Sequence, residues 1–418
     1  MPSAPCNEDV VVTGIGITTA LGIGVDAFTR ALRLGDPASP PSHSGGLLLI
    51  RDFNLLAFWN SLHLAKDVSP SVRQAARRAP LSLQLSLAVA LEAWQNAGLF
   101  HDAFYAPEQA ALIVAGHNLN LRTSYELAEK YCSRLDYLPA SHALHFMDTD
   151  QVGFLSEALG IRGEGFTVGG ASASGNSGLI QGLRQITCRN AQVCAVVGAM
   201  TDLSPLEIHS FTAAGAMAPD GVCRPFDRDR RGFVYGQGAA CLILETAAGA
   251  RSRCRKPLGI LRGGAQCLEA NRSAEPSPEG EARAMRMAMT YAGVLPSEVD
   301  YVNTHGTASV LGDQVEFDAL SNVFGDHFPN VWLNSTKALT GHCLTAAGAL
   351  EAVATLIQMN GGFLHPTAGL ENPLAAGGRF VGPTAIDATP RIALSNSFGF
   401  GGINTSVVIE HIEHTEVF

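Results

Sequence analysis

The chain has 418 residues, of which 46% are hydrophobic and 16% are charged, and its formal net charge is −10. This length and apolar content predict a large buried core, organised as two domains or as one large duplicated domain. The acidic balance argues against nucleic acid as the main partner.

The apolar runs and the cysteines argue against two further classes of protein. No apolar run reaches the roughly 18 residues that a membrane helix needs, and the first residues show no signal-peptide pattern. The nine cysteines are scattered singly and form no CxxC pair. We therefore expect reduced thiols in a cytoplasmic protein, with no metal site and no membrane contact.

Strands and helices are predicted to alternate along the whole chain. In the first half, apolar and β-branched runs predict strands at residues 9–16, 111–115, 193–198 and 239–245. Helical spacing predicts helices at residues 25–34, at residues 73–97 and within residues 169–182. In the second half, strands are predicted at residues 260–261, 299–303 and 405–410, and helices at residues 314–324 and 345–359. Residues 332–335 and 392–396 are short apolar segments that end in loops. Surface loops are predicted at residues 36–46 and 271–280.

This alternation of strands and helices predicts an α/β fold in which helices cover the sheets. A boundary near residues 250–258 divides the chain into two predicted halves, residues 1–255 and residues 256–418. The candidate site residues described next fall in both halves.

One serine stands among small residues at the start of a predicted helix. The run GGASASG at residues 169–175 places Ser172 where an apolar stretch turns into that helix. A nucleophile at a helix N-terminus feels the helix dipole and free N–H groups, which favour a developing anion. The glycine spacing does not fit the GxSxG elbow of hydrolases. A helix start that only needs a cap also explains the run, so this segment alone leaves both interpretations open.

Two histidines follow apolar segments in the second half. His305 lies in NTHGT at residues 303–307, and His342 lies in TGH at residues 340–342, shortly after Lys337. Imidazole can donate or accept a proton near neutrality, so two converging histidines can stabilise a carbanion or an oxyanion. A lone histidine of this kind is more often a hydrogen-bonded structural residue.

A glycine-rich run near the C-terminus completes the set. NSFGFGGIN at residues 396–404 contains Phe398 and Phe400, and its glycines allow the backbone to approach closely. An exposed N–H in this run can complete an oxyanion hole, while a tight turn between strands is the structural alternative.

In this order, the motifs resemble those of the β-ketoacyl synthases of fatty acid and polyketide assembly, and the resemblance covers nearly the whole chain. Further segments similar to family signatures are VVVTGIG (10–16), RPFD (224–227), GFVYG (232–236), STK (335–337) and AAGA (346–349). The resemblance implies a five-layered α-β-α-β-α thiolase fold, built from two related halves, and a homodimer. It also implies a substrate carried on the phosphopantetheine of an acyl carrier protein, with no separate cofactor.

The resemblance also implies catalytic roles. Ser172 takes the nucleophile position, and its N–H frames an oxyanion hole together with the N–H of Phe400. His305 and His342 hold the thioester oxygen as an enolate forms.

Supporting roles follow from the same resemblance. Lys337 organises the histidine loop through Glu351, and Phe398 with Phe400 lines or gates the acyl pocket. Docking of the acidic carrier protein is assigned to three arginines of the predicted helix at residues 73–97, which can instead form a solvated helix face. They are Arg73, Arg77 and Arg78.

The chain departs from the family at its most reactive position. Condensing members carry cysteine where this chain has Ser172. A thiol has a pKa near ~8.5, which a helix N-terminus lowers into the working range, whereas a hydroxyl is far less acidic. Decarboxylation of a malonyl thioester needs donors for the enolate oxygen and no nucleophile. A second departure is Gln237, where an acid is usual in the family.

Serine with two retained histidines therefore predicts decarboxylation of malonyl-acyl carrier protein to acetyl-acyl carrier protein. The pattern resembles the free-standing decarboxylating ketosynthases of polyketide β-branching cassettes, which supply the acetyl unit to an HMG-CoA-synthase-like partner. Two alternatives stay open. One is an acyltransferase or condensing enzyme that uses Ser172 as nucleophile with histidine as base. The other is an inactive partner subunit similar to a chain-length factor, against which His305 and His342 argue.

Overall fold

The computed structural model describes residues 8–38, 46–64, 68–100, 104–271 and 275–412, and its strands form one long mixed sheet and one short hairpin-like pair. The strands are β1 Val10–Thr19, β2 Gly22–Ile23, β3 Ala110–Ala115, β4 Gly165–Val168, β5 Val193–Gly198, β6 Gly238–Thr246, β7 Gly259–Leu268, β8 Tyr301–Asn303, β9 Trp332–Asn334, β10 Phe363–Leu364, β11 Arg379–Phe380, β12 Ile386–Asp387, β13 Ile392–Gly399 and β14 Ile403–Glu410. Strands β10 and β12 form the separate pair.

Helices precede, connect and cover these strands. The α-helices are α1 Val25–Leu34, α2 Leu55–Ser61, α3 Pro70–Ala76, α4 Leu81–Asn96, α5 Leu121–Tyr131, α6 His142–His145, α7 Thr149–Leu159, α8 Ser174–Thr187, α9 Pro205–Ala213, α10 Ala247–Ser252, α11 Pro278–Ala292, α12 Val310–Phe324, α13 Lys337–Thr340 and α14 Ala347–Gly361. Short 3-10 turns lie at Pro107–Gln109, Leu135–Tyr137, Ala171–Ala173, Pro296–Glu298, Gly325–Asn330 and Leu344–Ala346.

The long sheet repeats one pairing pattern. From its centre outward, β1, β6, β5, β3 and β4 pair in two antiparallel and then two parallel steps. Strands β7, β14, β13, β8 and β9 pair in the same sequence of steps. The two sets meet where β1 pairs with β7 at only two positions, Val11 with Ile260 and Val12 with Gly259. The boundary between residues 255 and 256 stays a prediction.

Five layers follow from which helices contact which strands. Helices α8 and α14 lie between the two sets of strands, because α8 contacts β3 and β5 as well as β7 and β14, and α14 contacts β6 and β13. Helices α4 and α7 cover the outer face of the first set, and α11, backed by α12, covers the second. Helix α14 is buried along nearly its whole length, as its run of small and apolar residues requires.

Glycine permits the close contact between the two central helices. A Cβ at Gly175 of α8 would lie 2.3 Å from the backbone nitrogen of Ala349 in α14. Any side chain here would therefore separate the helices that carry the site described below.

The predicted helix at residues 73–97 is wrong in one respect, because the structure divides it into α3 and α4. Pro80 stands at the junction in an extended conformation and caps the start of α4. Proline has no N–H to donate and disfavours helix in the residue before it, so the chain turns between Arg77 and Pro80.

Other predicted boundaries move by a few residues. The strand predicted at residues 260–261 extends over all of β7, and α11 begins at Pro278 within the predicted loop at residues 271–280. Residues 39–45 and 272–274 of the two predicted loops lie outside the described residues. In the part of the chain that the structure describes, no helix is long and apolar enough to cross a membrane.

Candidate active site

Five of the predicted site residues line one cavity of about 380 Å³ that opens between the two halves of the sheet. They come from distant points of the chain, and the layers described above bring them together. They are Ser172, His305, His342, Phe398 and Phe400.

Ser172 sits in a tight turn that leads into α8. The 3-10 turn Ala171–Ala173 immediately precedes the helix, which begins at Ser174. Ala171 has a φ of 49°, a left-handed conformation that is uncommon for a residue with a side chain. Such strain persists where the surrounding structure fixes the backbone, and it is concentrated at functional sites. The hydroxyl Oγ of Ser172 lies 2.8 Å from Nε2 of His342.

His342 is fixed by the GFVYG segment. Its backbone N–H donates to the carbonyl of Val234 at 2.7 Å, and its carbonyl accepts from the N–H of Gly236 at 3.1 Å. The ring of Phe233 packs edge-on against the imidazole, with centroids 5.3 Å apart. The mid-chain signature thus positions a histidine that lies about a hundred residues later in the chain.

His305 is held by a buried carboxylate that no local sequence pattern indicates. Glu316 of α12 accepts from the N–H of His305 and from the N–H of Gly306, each at 2.8 Å. Asn396 donates to the same carboxylate at 3.2 Å. These bonds fix the loop after β8, so that the ring of His305 meets that of His342 edge-on with centroids 5.7 Å apart.

Both imidazoles are held in the neutral form. Burial lowers the pKa of His305 and of His342 well below the usual value, and the ammonium of Lys337 lowers both further. A neutral imidazole carries one N–H and can donate to an oxyanion without being an acid at neutral pH. Among the described residues, the Nδ1 atoms of both rings have no hydrogen-bond partner.

Lys337 and Glu351 lie behind the histidines and do not line the cavity. Their side chains form a buried ion pair, each about 1% exposed. Burial raises the pKa of Glu351 to about 7, although Lys337 and a bond from Ser397 act in the opposite direction. The pair places a positive charge near the two histidines and balances it with the carboxylate.

The glycine-rich run lies directly against the turn that carries Ser172. A Cβ at Gly399 would be 2.4 Å from the carbonyl oxygen of Gly170, so this contact requires glycine. On either side of it, Phe398 is buried against His305 with ring centroids 5.5 Å apart, and Phe400 is 54% exposed at the mouth of the cavity.

The three arginines lie away from this cavity, on α3 and on the turn that follows it. Arg77 and Arg78 are exposed. Arg73 is half-buried, because its guanidinium stacks over Trp59 at 5.4 Å and donates to Asn60 at 3.1 Å. Arg73 therefore stabilises the contact between α3 and α2, a role that the sequence did not indicate.

Gln237 also has a structural explanation. Its side chain accepts from the N–H of Ile50 at 3.0 Å and donates to Asp202 at 3.3 Å. Burial raises the pKa of Asp202, while Arg122 and Gln237 lower it. An acid at position 237 would place a second carboxylate beside Asp202, whereas the amide donates to it.

His117 and Glu316 are among the residues near the site that the sequence did not indicate. His117 lines the cavity, and its Nε2 lies 3.3 Å from the N–H of Ala171, next to Ser172. Its signal was present, since His117 directly follows the Gly116 that ends the strand predicted at residues 111–115. Glu316 was harder to recognise, because an acid within a helix is ordinarily a solvent-facing residue. The described residues contain no group of three or more His, Cys, Asp or Glu placed to hold a metal ion.

Comparison with known proteins identifies one family in both halves of the chain. Residues 57–250 match the family described as Beta-ketoacyl synthase, N-terminal domain, and residues 260–371 match Beta-ketoacyl synthase, C-terminal domain. The chain is 36% identical over 416 residues to Polyketide biosynthesis malonyl-ACP decarboxylase PksF of Bacillus subtilis (strain 168), with 98% of each chain covered.

Condensing enzymes are also similar to it. The chain is 29% identical over 419 residues to 3-oxoacyl-(acyl-carrier-protein) synthase 2 of Coxiella burnetii, covering 96% of this chain and 98% of that protein. Among solved structures, the ishigamide ketosynthase/chain length factor matches with a TM-score of 0.87 at 25% identity, covering 98% of this chain and 100% of the other. The chain therefore belongs to the β-ketoacyl synthase family and has its thiolase fold.

Proposed function

We propose that this protein decarboxylates malonyl-acyl carrier protein to acetyl-acyl carrier protein in polyketide biosynthesis, supplying the acetyl unit for β-branching. One observation carries the proposal: Ser172 replaces the condensing cysteine while two neutral histidines still face the same cavity. The site retains the groups that stabilise an enolate and lacks the thiol that accepts an acyl group.

The chemistry follows from the positions of these groups. The bond between C2 and the carboxylate carbon breaks, CO2 leaves, and the electron pair passes into an enolate whose oxygen becomes negative. The N–H groups of His305 and His342 donate to that oxygen, and the backbone N–H groups of Ser172 and Phe400 frame the adjacent oxyanion hole. Donors fixed before the reaction need no reorganisation when the charge develops. Lys337 and Glu351 act through the histidines, as positioning residues.

Acyl transfer to Ser172 is the competing function, and its hydrogen bond to His342 is the observation that favours it. An activated serine ordinarily needs a base that a third group orients. Within the described residues, Nδ1 of His342 has no such partner. Burial also lowers the pKa of His342, so this ring is a poor base. Both facts favour a donor role for His342.

The comparison with relatives also supports the decarboxylase function. The Bacillus subtilis relative, 36% identical along the whole chain, has malonyl-ACP decarboxylase in its name. The carrier protein that brings the substrate is acidic in this class of enzyme, and the exposed Arg77 and Arg78 offer it positive charge. We further propose that two copies form a homodimer, as the family resemblance implies.

Mass spectrometry of malonyl-carrier protein after incubation with the enzyme tests this function. We expect the carrier-bound malonyl group to become acetyl, with no acyl adduct on the enzyme. His305→Ala should slow this conversion by about 10²-fold or more, because one enolate donor is lost. A stable acyl adduct on Ser172, with no acetyl-carrier protein formed, would show that the protein is an acyltransferase instead.

A further inference from the structure

One of the carboxylic acids that line the catalytic cavity has a buried oxygen atom with no hydrogen-bond partner among the described residues. Glu281 lies on α11, is about 1% exposed and borders the same cavity as Ser172 and His305. Among the described residues, its Oε2 atom has no hydrogen-bond partner. Buried polar groups are nearly always paired, so an unpaired one in a cavity suggests a partner that arrives with the substrate.

Neighbouring contacts place Glu281 on the histidine side of the cavity. One helical turn further along α11, the sulfur of Met285 lies 3.3 Å from the amide nitrogen of Asn396. That same nitrogen donates to Glu316 at 3.2 Å, and Glu316 holds the N–H of His305. Glu281 therefore lies one helical turn from a buried series of contacts that ends at the backbone of His305.

The surroundings of Glu281 keep its proton in place. Burial raises the pKa of Glu281 well above its usual value. The acids that face it raise that pKa further: Glu316 and Asp313 from α12, and Glu269, which directly follows β7. Strand β14 presents the neutral Asn404, whose amide bonds Glu269, and β13 presents the neutral Asn396. These causes all favour the protonated, carboxylic acid form of Glu281, which borders the cavity.

Decarboxylation requires such a proton. When CO2 leaves, the enolate carries its charge on oxygen and on C2, and acetyl forms only when C2 gains a hydrogen. The N–H groups of His305 and His342 are occupied by the enolate oxygen in the proposed function. A condensing enzyme has no need of this step, because C2 attacks an acyl group instead.

We propose that Glu281 is the general acid that protonates C2 of the enolate, an inference that rests on the proposed decarboxylase function. The carboxyl O–H bond breaks, a C2–H bond forms from the enolate electron pair, and Glu281 is left as a carboxylate. A solvent proton that enters through the cavity restores the acid. The sum is one malonyl carboxylate and one proton converted to one acetyl group and one CO2.

The comparison of wild type with Glu281→Gln tests this role, because glutamine keeps the shape and loses the acidic proton. Both are incubated with malonyl-carrier protein in the presence of isotopically labelled CO2. We expect Glu281→Gln to form acetyl about 10²-fold more slowly, the usual contribution of a general acid. We also expect labelled carboxylate to appear in its unreacted malonyl group, because an enolate that waits for a proton can recapture CO2.

The matched control is Glu279→Gln, the same substitution at an exposed position on the same helix, which should behave as wild type. A stability measurement separates function from folding. The folded-state pKa of Glu281 is raised, so the stability it contributes is complete below pH ~4.3 and is lost as pH rises. Glu281→Gln should therefore melt at a higher temperature than wild type at pH 8.

Each outcome decides something different. If wild type forms no acetyl-carrier protein, the proposed function fails and this role fails with it. If wild type is active and Glu281→Gln matches it, only this role is overturned. Slow formation of acetyl-carrier protein with no label in the malonyl group would also overturn the role of Glu281. Cleavage of the bond between C2 and the carboxylate carbon would then be the step that the substitution slows. Should the variant not fold, wild type at rising pH must show the same slowing and the same label exchange.

Discussion

The hydroxyl of Ser172 lies 2.8 Å from Nε2 of His342, at the position where the family resemblance implies a condensing thiol. A helix N-terminus stabilises a thiolate at neutral pH, but it cannot bring a hydroxyl to the same state. The two neutral imidazoles do not depend on that group, because each donates its own N–H. In the proposed function, the change from thiol to hydroxyl therefore removes acyl transfer and leaves decarboxylation.

Burial of the two histidines also makes stability depend on pH. Their folded-state pKa lies below the unfolded value of about 6.5, so the unfolded chain gains protons first as pH falls. Stability is then lost as pH falls below about 6.5, at a rate of up to about 1.4 kcal/mol per pH unit for each ring.

We expect His305→Gln to lose one of these two contributions. Between pH 6.5 and pH 5 its free energy of unfolding should fall less steeply than that of wild type, by up to about 1.4 kcal/mol per pH unit. Chemical denaturation at several pH values measures it. His209→Gln, at an exposed histidine of α9, is the control and should follow wild type. Parallel curves for wild type and His305→Gln would contradict the neutral, buried state of His305.

The site residues that the sequence revealed are those whose local pattern is unusual. Ser172, His305 and His342 each interrupt a run of small residues with one reactive group. Glu316 and Glu281 lie within helices where acids are ordinary, and only the tertiary structure shows that their helix faces are buried. Their recognition needed the packing of α11 against β7 and β14, and of α12 against α11, as well as the sequence.

At the scale of elements, the longest predicted helix shows why periodicity alone was insufficient. Residues 73–97 keep helical spacing across the break between α3 and α4, since apolar residues continue on both sides. Pro80 changes the direction of the chain without changing that spacing. The break leaves Arg77 and Arg78 on an exposed turn, while Arg73 stays packed on Trp59.

This turn is where we expect the carrier protein to meet the enzyme. Reversing both charges with Arg77→Glu and Arg78→Glu should raise the KM for malonyl-carrier protein about tenfold and leave kcat nearly unchanged, because the active site is untouched. Malonyl-pantetheine, which lacks the protein, is the control substrate and should react at the wild-type rate. Equal losses with both substrates would place the effect on the cavity instead.

At the scale of the whole molecule, the long sheet ends at strand β4 on the side of the first half. Strand β4 pairs with β3 on one edge, and its other edge carries no strand of the described chain.

The segment between α5 and α7 presents apolar side chains to solvent, a pattern typical of a protein interface. They are Leu135, Tyr137, Leu144, Phe146 and Met147.

We expect this patch to be covered by a second copy of the chain. The paired substitutions Tyr137→Asp and Phe146→Asp should convert the dimer into monomers, because they place two charges at the proposed interface. Light scattering after size-exclusion chromatography measures the mass. Leu34→Asp, at an exposed apolar residue of α1 outside the patch, should stay dimeric. A monomeric wild type would refute the proposed dimer.

At the scale of the whole molecule, the sequence predicted the α/β class and the candidate site, because alternating elements and spaced motifs are local properties. It could not show that the two sets of strands repeat one pairing order, since that repetition lies in hydrogen bonding between distant segments. The cavity forms where these sets meet across α8 and α14, so its lining could only be seen in the folded chain.

The most direct test of the account is the rate at which Ser172→Ala converts malonyl-carrier protein to acetyl-carrier protein. If the histidines carry the reaction and no acyl-serine forms, the variant should retain activity within about tenfold of wild type, since only a hydrogen bond near the oxyanion is lost. Complete loss of turnover in a folded Ser172→Ala, together with an acyl group on Ser172 in wild type, would contradict it.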